Sequence, residues 1–446
     1  MSMRTVAVHN LGCKVNSYEL DKITGELTGR GYRLVDFSDT ADIYIVNTCT
    51  VTNIADRKSR QLLHRAKKTN PRSIVVAIGC YVDTSPDCAQ IDESIDIALG
   101  NKEKGSLPDI LDRMYDRRLF DDNNADNILP VSYRSRTRAY IKVQDGCNLR
   151  CSYCVIPFAR GNSISVPASA IIDEVNSLAK EGVKEVVLTG IHVSSYGLDL
   201  KGDTASNDEA EAKNLYELLK LINTVEGIER IRLSSLEPGT LTDEAVEALL
   251  FCDKLCPHFH LSLQSGCDDT LKRMRRRYTS KDFADCVKKL REVYEAPAIT
   301  TDVITGFPGE TEEEFERSRD FIDSMDFYEM HVFPYSVRKG TSAEKMEGQL
   351  SMKEKSARAS ELIKISERKA KLYRESFINK KLKVLWETEE TVNEKVYMVG
   401  HTERYVRAAF PIGGGCSEAP KSGEITEITA KMLLNDNTLL ADIDFC

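Results

Sequence analysis

No stretch of this chain stays apolar for the ~20 residues that a membrane-crossing helix requires, so the sequence predicts no transmembrane span. The opening residues, Met1-Ser2-Met3-Arg4-Thr5-Val6-Ala7-Val8, read as a first strand and not as a signal peptide. The expected compartment is therefore the cytoplasm. Nor is there an excess of positive charge. The net charge of −9 argues against a protein that coats nucleic acid indiscriminately, while leaving room for local basic patches that grip one structured RNA. What is present in bulk is ordinary: 41% hydrophobic and 29% charged residues describe a globular protein. A length of 446 residues suggests about three domains. The 13 cysteines stand out, because in a reducing compartment they point to metal ligation or redox chemistry before disulfides.

Three of them lie in Cys147-Asn148-Leu149-Arg150-Cys151-Ser152-Tyr153-Cys154, at spacing C-x3-C-x2-C, directly after the strand-like run 139–144. An iron–sulfur cube usually takes four thiolates. Three on one loop leave the fourth iron open to a chelating small molecule, as open positions on other catalytic metals admit substrate. A zinc knuckle and three reduced thiols in a turn are the other readings. Zinc would need a fourth Cys or His nearby, and none lies between Val155 and Ile191.

Upstream, residues 5–11, 43–47 and 74–78 read as short buried strands, with helix-like stretches at 17–30 and 55–68 between them. Such alternation predicts a doubly wound parallel sheet, with ligands at the carboxyl ends of its strands. Each strand runs into a cysteine: Cys13, Cys49 and Cys80. At equivalent edges of one sheet they should converge as a second thiolate triad, and the glycines before Cys13 and Cys80 would permit close backbone approach to a cluster. Cys88 reads as structural. From 102 to 133 the composition turns polar and ends before the strand preceding the loop, which places a linker there. Arg134, Arg136 and Arg138 then lead into that strand, as phosphate contacts or as caps of a strand edge.

After the loop, strand-like runs at 185–189, 230–233, 258–263, 300–304 and 329–333 alternate with helices, predicting an α/β barrel or partial (β/α) barrel with chemistry at the carboxyl ends of its strands. Gly190, Glu237, Gln264 and Gly306 follow strands, and Asp302 lies within one, where it could face the interior. Segment 202–213 is acidic and apolar-poor, hence an expected surface insertion. Cys252, Cys256, Cys267 and Cys286 read as structural. A polar helix at 351–376 should strap the barrel to five short β patterns between 383 and 443, with a Gly413-Gly414-Gly415 turn, which predict a small barrel of the oligonucleotide-binding type. The predicted domains are 1–125, 133–375 and 378–446. Cys416 and Cys446 carry no assigned role. Two basic blocks remain: Arg57, Lys58, Arg60, Arg65, Lys67, Lys68 and Arg72, with no acid among them, and Lys272 to Arg277. Either could be a solvated face or a phosphate-binding patch.

The loop, with Tyr153 before its last cysteine, resembles the cluster loop of radical S-adenosylmethionine (SAM) enzymes. Its flanks, Lys142 to Gly146 and Val155 to Gly161, resemble the methylthiotransferase branch, which modifies tRNA or a ribosomal protein. Segments 10–16, 46–52 and 79–81 are similar to that branch's amino-terminal domain. The resemblance implies two 4Fe-4S clusters, one on Cys147, Cys151 and Cys154 and an auxiliary one on Cys13, Cys49 and Cys80. It implies SAM held by Tyr153, Gly190, Glu237, Gln264 and Asp302, and a terminal module similar to the RNA-binding TRAM domain. No side chain is expected to act as a catalytic acid or base, since the cofactors carry the radical step. The trio Gly-Cys-Lys-Val-Asn, Asn-Thr-Cys-Thr-Val-Thr and Gly-Cys-Tyr is most similar to the branch acting on N6-threonylcarbamoyladenosine, with the isopentenyladenosine and ribosomal-protein branches as alternatives. The family further implies a flavodoxin- or ferredoxin-type electron donor. Arg57, Lys58, Arg60, Arg65, Lys67 and Lys68 are the expected tRNA contacts, and a monomer the expected state. A non-catalytic iron–sulfur RNA-binding redox sensor is the rival from another class.

Overall fold

The computed structural model describes residues 4–114, 137–200, 212–413 and 419–443. Arg134, Arg136, Gly414, Gly415, Cys416, Cys446 and most of segment 202–213 lie outside them. Two compact units emerge. One joins the amino-terminal residues to Asp145–Ile164 and Ser336–Lys345, and the other holds Thr137–Gln144, Ser165–Tyr335 and the chain from Met346 onward.

The first unit is built on strands β1 (Thr5–Asn10), β2 (Arg33–Val35), β3 (Ile43–Thr48), β4 (Ile74–Gly79) and β5 (Ile97–Leu99), in the order β2-β1-β3-β4-β5. Every pairing is parallel. The two edge strands are three residues each, too short to leave a pattern in the sequence. Helix α1 (Lys14–Gly29) buries Leu20, Ile23 and Leu27 on one face of the sheet, and α2 (Asn53–Thr69) buries Leu63 and Ala66 on the other. The sheet is thus doubly wound, as its strand–helix alternation predicts. Part of the polar stretch read as a linker is ordered: after short helices α3 (Cys80–Thr84) and α4 (Cys88–Ile91) comes α5 (Leu107–Met114), whose fully buried Leu107 and Leu111 join the α1 face. The low overall apolar content hid two well-placed leucines.

The second unit opens with strand β6 (Arg138–Lys142); along the chain, the short strands β7 (Gln144–Asp145) and β8 (Ile164–Ser165) bracket the cysteine loop and its helix α6 (Ile156–Arg160), which belong to the first unit. Then α7 (Ala168–Lys180), α8 (Leu215–Asn223), α9 (Asp243–Phe251), α10 (Asp268–Arg273), α11 (Ser280–Val293) and α12 (Glu312–Ser324) are interleaved with β9 (Glu185–Thr189), β10 (Arg230–Leu233), β11 (His258–Gln264), β12 (Ala298–Thr305) and β13 (Glu329–Pro334). Strands β10-β9-β6 and β11-β12-β13 form two parallel sheets, linked by bridges Ile231–Leu255 and Leu236–Leu261. This is the expected partial (β/α) barrel.

Helix α13 (Met352–Glu375) opens with a capping box of Ser351 and Glu354 and is tied to the barrel by Arg358 on Glu310 (2.6 Å) and Arg374 on Glu329 (2.7 Å). Strands β14 (Lys381–Val392), β15 (Lys395–Thr402), β16 (Arg407–Pro411), β17 (Ile425–Asn435) and β18 (Thr438–Asp442) then close a barrel in the order β14-β15-β16-β18-β17. Its core centres on Trp386, fully buried, whose indole N–H donates to Thr426 at 2.7 Å.

The two barrels are fastened by charge at the amino ends of the parallel strands. Glu185, with no exposed surface, accepts from Arg138 (2.9 Å) and Arg232 (3.0 Å). Arg138 reaches on to Glu387 (2.7 Å), Arg230 to the carbonyls of His401 and Lys383, and Arg232 to that of Glu403. Arg138, one of the arginines considered for phosphate, is therefore spent inside the fold. Burial alone would raise the Glu185 pKa, but Arg232 and Arg138 overcome it and hold the carboxyl far below its ordinary 4.5. A depressed native pKa stabilises above the unfolded value and is lost as pH falls through the native one. Glu185→Ala should therefore cost about 3–5 kcal/mol, as expected when a buried pair loses one partner. In melting curves the gap to wild type should be constant above about pH 5 and shrink only in acid; a gap that grows toward low pH would contradict this.

Candidate functional site

The carboxyl ends of β1, β3 and β4 are level, because Asn10 pairs in register with Asn47, and Asn47 with Ile78. Cys13 caps α1, Cys49 follows β3, and Cys80 opens α3, so three thiols meet at one edge of the sheet. Their mutual influence shows in their acidities. Burial pushes the Cys49 thiol up to about 11, and Cys80 and Cys13 add to the rise. Burial likewise raises Cys13, against the pull of Arg160, with Cys80 adding to it. The glycines before Cys13 and Cys80 have a different reason from the one expected. A side chain at Gly12 would strike Asn16 (1.9 Å), and one at Gly79, whose φ is +94°, would meet Asn47 (2.7 Å). Those asparagines lock the edge: Asn16 donates to the Thr48 carbonyl (3.0 Å) and Asn47 to that of Asn16 (2.7 Å). What approaches the backbone is protein.

The Cys147–Cys154 loop belongs to the same unit. It is held tight by a bond from the Cys154 N–H to the Cys151 carbonyl (3.1 Å), and the Leu149 N–H points at the Cys147 sulfur (3.5 Å). Gly146, at φ +68°, has the Asn162 carbonyl 1.9 Å from where a side chain would start. Three connections join the loop to the first triad. Arg160, at the end of α6, donates to Asn16, to Glu19 (3.0 Å) and to Asp145 (2.9 Å). Asn101 donates to the Cys80 sulfur (3.4 Å) and the Ala159 carbonyl (3.3 Å). From Ser336–Lys345, Arg338 reaches Asn53 and Asp56, both at 2.7 Å, and the Ala343 N–H donates to the Ser152 carbonyl (2.8 Å). Burial alone would lower the Arg160 pKa; Glu19, Cys80 and Asp145 reverse this and keep the guanidinium charged. Lys104, also buried, shares Glu19 (2.5 Å). Fixed cations beside thiols, N–H groups aimed at sulfur and two separate thiol triads fit thiolate-ligated iron. Sequence reasoning assigned Arg160, Asn101 and Arg338 no role, since nothing local marks them. Cys88, Cys252, Cys256, Cys267 and Cys286 are buried, in keeping with structural roles.

In the other unit, burial alternates along β11, with Phe259, Leu261 and Leu263 buried and His260 and Ser262 half-exposed. Asp302 and His331 lie opposite one another on β12 and β13, so period-two geometry puts both on one face of the sheet. Gln264 sits beyond a register shift with φ +66°, an uncommon conformation for a residue with a side chain and one that gathers at functional positions. Glu237 is gripped by Arg276 through both oxygens at 2.7 Å; burial raises its pKa while Arg276 opposes. A side chain at Gly190 would meet Gln144 (2.9 Å), and one at Gly306 would meet Lys355 (2.4 Å). His192, two residues past Gly190, was overlooked. Its Nε2 is buried without a hydrogen-bond partner among the described residues, and burial, Arg276 and Arg277 lower its pKa to about 4. A neutral imidazole with an orphaned polar atom among strand-end polar groups fits a bound polar ligand such as SAM.

Of the basic residues on α2, Arg57, Lys58, Arg60, Arg65 and Lys68 are exposed, whereas Lys67 is spent on Asp96 at 2.7 Å. The block 272–277 is partly internal too: Arg273 pairs with Glu314, Arg276 with Glu237, and Met274 is fully buried. No helix among the described residues is long and apolar enough to cross a membrane.

Comparison with known proteins agrees with this geometry. The radical SAM superfamily model matches residues 141–322, and a model described as uncharacterized protein family UPF0004 matches residues 5–100. Among solved structures, a radical S-adenosylmethionine methyltransferase from Kitasatospora setae shares the fold (TM-score 0.53, 17% identity, 75% of each chain). The chain is thus a radical SAM enzyme, a class that uses SAM and a 4Fe-4S cluster. The threonylcarbamoyladenosine tRNA methylthiotransferase of Bacillus subtilis is 41% identical, over 92% of this chain and 90% of its own. The protein of the same name from Thermotoga maritima is 35% identical over 99% and 98%. The tRNA-2-methylthio-N(6)-dimethylallyladenosine synthase of Clostridium tetani is 33% identical over 90% and 88%. The chain belongs to the radical SAM tRNA methylthiotransferase family.

Cys151→Ala should abolish dithionite-dependent formation of 5′-deoxyadenosine from SAM, measured by chromatography of the anaerobically reconstituted protein, while Cys88→Ala should leave it at wild-type level. Equal turnover in both variants would remove the loop from the SAM-cleaving site.

Proposed function

We propose that the protein methylthiolates carbon 2 of N6-threonylcarbamoyladenosine beside the anticodon of tRNA. The observation that carries this is the pair of cysteine triads in one compact unit. One triad serves the SAM-cleaving cluster; the second, Cys13, Cys49 and Cys80, has no use in SAM cleavage and is suited to an auxiliary 4Fe-4S cluster. When bound, these groups supply one-electron cleavage of SAM and the sulfur to be inserted, which acid–base side chains cannot do at an aromatic carbon–hydrogen bond.

The chain's own residues bind and orient. Arg160, Lys104 and Asn101 place positive charge and N–H donors beside the first triad, and Arg160 opposes the rise that burial imposes on the Cys13 thiol. Gly190, Glu237, Gln264 and His192 are assigned to SAM in the barrel. Exposed Arg57, Lys58, Arg60, Arg65 and Lys68 are assigned to tRNA phosphates, which position RNA without reading its sequence. An unstacked base is the form in which such enzymes take their target. A TRAM-like role for the carboxy-terminal barrel, a flavodoxin- or ferredoxin-type donor, a monomeric state and a cytoplasmic location complete the reading. Support for the nucleoside comes from the higher identity to the relatives named for threonylcarbamoyladenosine.

The test is mass spectrometry of nucleosides from two tRNAs, one carrying N6-threonylcarbamoyladenosine and one isopentenyladenosine, each incubated with reconstituted protein, SAM, sulfide and reductant. The 2-methylthio product is expected on the first. Product on the second alone would reassign the nucleoside, and none on either, with SAM uncleaved, would favour a non-catalytic sensor. Charge reversal of Lys58 and Arg60 together should weaken tRNA binding steeply at low salt and flatten its salt dependence by about two phosphate contacts; unchanged affinity would move the RNA surface elsewhere.

A further inference from the structure

Three side chains on adjacent barrel strands are unused by that reading or fit it loosely. His260 on β11, Asp302 on β12 and His331 on β13 bring two imidazoles and a carboxylate together, with one nitrogen or oxygen of each inside 4.8 Å of the others. The rings of His260 and His331 are 6.0 Å apart at 32°, and Asp302 and His331 are register partners. Among the described residues, Asp302 has His260 as its ion-pair partner, and no hydrogen bond engages the His331 imidazole.

We propose that His260, Asp302 and His331 form a divalent-cation site across strands β11, β12 and β13. The separation of His260 Nε2 and Asp302 Oδ2 is 3.4 Å. That is long for a charge-assisted hydrogen bond, which closes to about 2.7–2.9 Å. It matches the edge of a metal tetrahedron, since ligand bonds of about 2.1 Å set ligand atoms about 3.4 Å apart. The other nitrogen of His260, Nδ1, lies 3.0 Å from Thr300 Oγ1. A ligating histidine is typically held through its second nitrogen in this way, which fixes the tautomer that leaves Nε2 free for the metal. Position explains why the groups meet: His260 pairs in register with Thr300, and Asp302, one strand repeat further on, pairs with His331. The side chains of His260 and Asp302 are 13% and 32% exposed, sheltered yet reachable. Two imidazoles and one carboxylate suit zinc, ferrous iron or manganese better than calcium or magnesium. Three protein ligands leave at least one position open to water or a ligand oxygen. Asp302, which the family resemblance places with SAM, is assigned to the cation instead.

The experiment titrates zinc chloride into anaerobically reconstituted full-length protein, with calorimetry and elemental analysis of zinc and iron after gel filtration. Wild type is compared with His331→Ala, Asp302→Asn and Thr300→Val, at matched iron content. Wild type should retain one zinc per chain that His331→Ala and Asp302→Asn lose, and Thr300→Val should bind it about 10–100-fold more weakly. Equal zinc stoichiometry and affinity in wild type and His331→Ala would overturn the proposal and leave a plain His260–Asp302 ion pair. His331 is exposed, so its removal should not disturb the fold; if Asp302→Asn loses iron or unfolds, the His331→Ala comparison decides alone.

Discussion

A single buried guanidinium, that of Arg160, carries the geometry of the cysteine-bearing unit. Taking such a charge out of water costs several kcal/mol unless partners compensate. Here Glu19, Asp145 and Asn16 supply them from two separate parts of the chain. The partners on α1 follow Cys13, and Arg160 itself ends the helix that follows Cys154. The residue therefore cannot satisfy its charge without bringing the two cysteine groups into one unit. Asn101 and Arg338 repeat the device at Cys80 and beside Cys49. The Arg160 guanidinium serves a second purpose, since it offsets part of the rise that burial imposes on the Cys13 thiol.

The barrel unit divides its labour along the strands. Amino ends are used for fastening: Glu185 and three arginines hold the small carboxy-terminal barrel against them. Carboxyl ends carry Gln264, Glu237 and His192, the half of such an architecture where chemistry gathers. The arginines at 138, 230 and 232, though strongly basic in sequence, are thereby unavailable to nucleic acid, while the solvent-facing cations of α2 remain free to meet it. A chain of net charge −9 can in this way present one basic helix while some of its other basic runs are consumed internally.

Much of this was legible in the sequence, because cysteine spacing and strand periodicity are local. Cys147, Cys151 and Cys154 announce themselves within eight residues, and Cys13, Cys49 and Cys80 are placed by the strands they follow. The five-strand closure of the last segment was legible for the same reason. What escaped is what tertiary structure decides. Arg160 has two of its partners, Asn16 and Glu19, more than a hundred residues upstream, and nothing near Arg338 hints at Asn53. Gly12 and Gly79 were credited to a cofactor because sequence shows that a side chain is missing, not what occupies its place; Asn16 and Asn47 do. Lys67 and Arg276 looked like free cations until Asp96 and Glu237 came to meet them. Helix α5 was lost in a polar stretch because two leucines suffice to anchor eight residues.

The central claim is that two thiolate triads hold two separate clusters in one compact unit. Mössbauer spectroscopy of anaerobic protein loaded with isotopically enriched iron tests it most directly. Wild type should show two 4Fe-4S clusters per chain, a Cys13→Ala, Cys49→Ala, Cys80→Ala variant one, and Arg160→Met a selective loss at the same triad. A single cluster per chain in wild type, unchanged when Cys13, Cys49 and Cys80 are all replaced, would contradict the account.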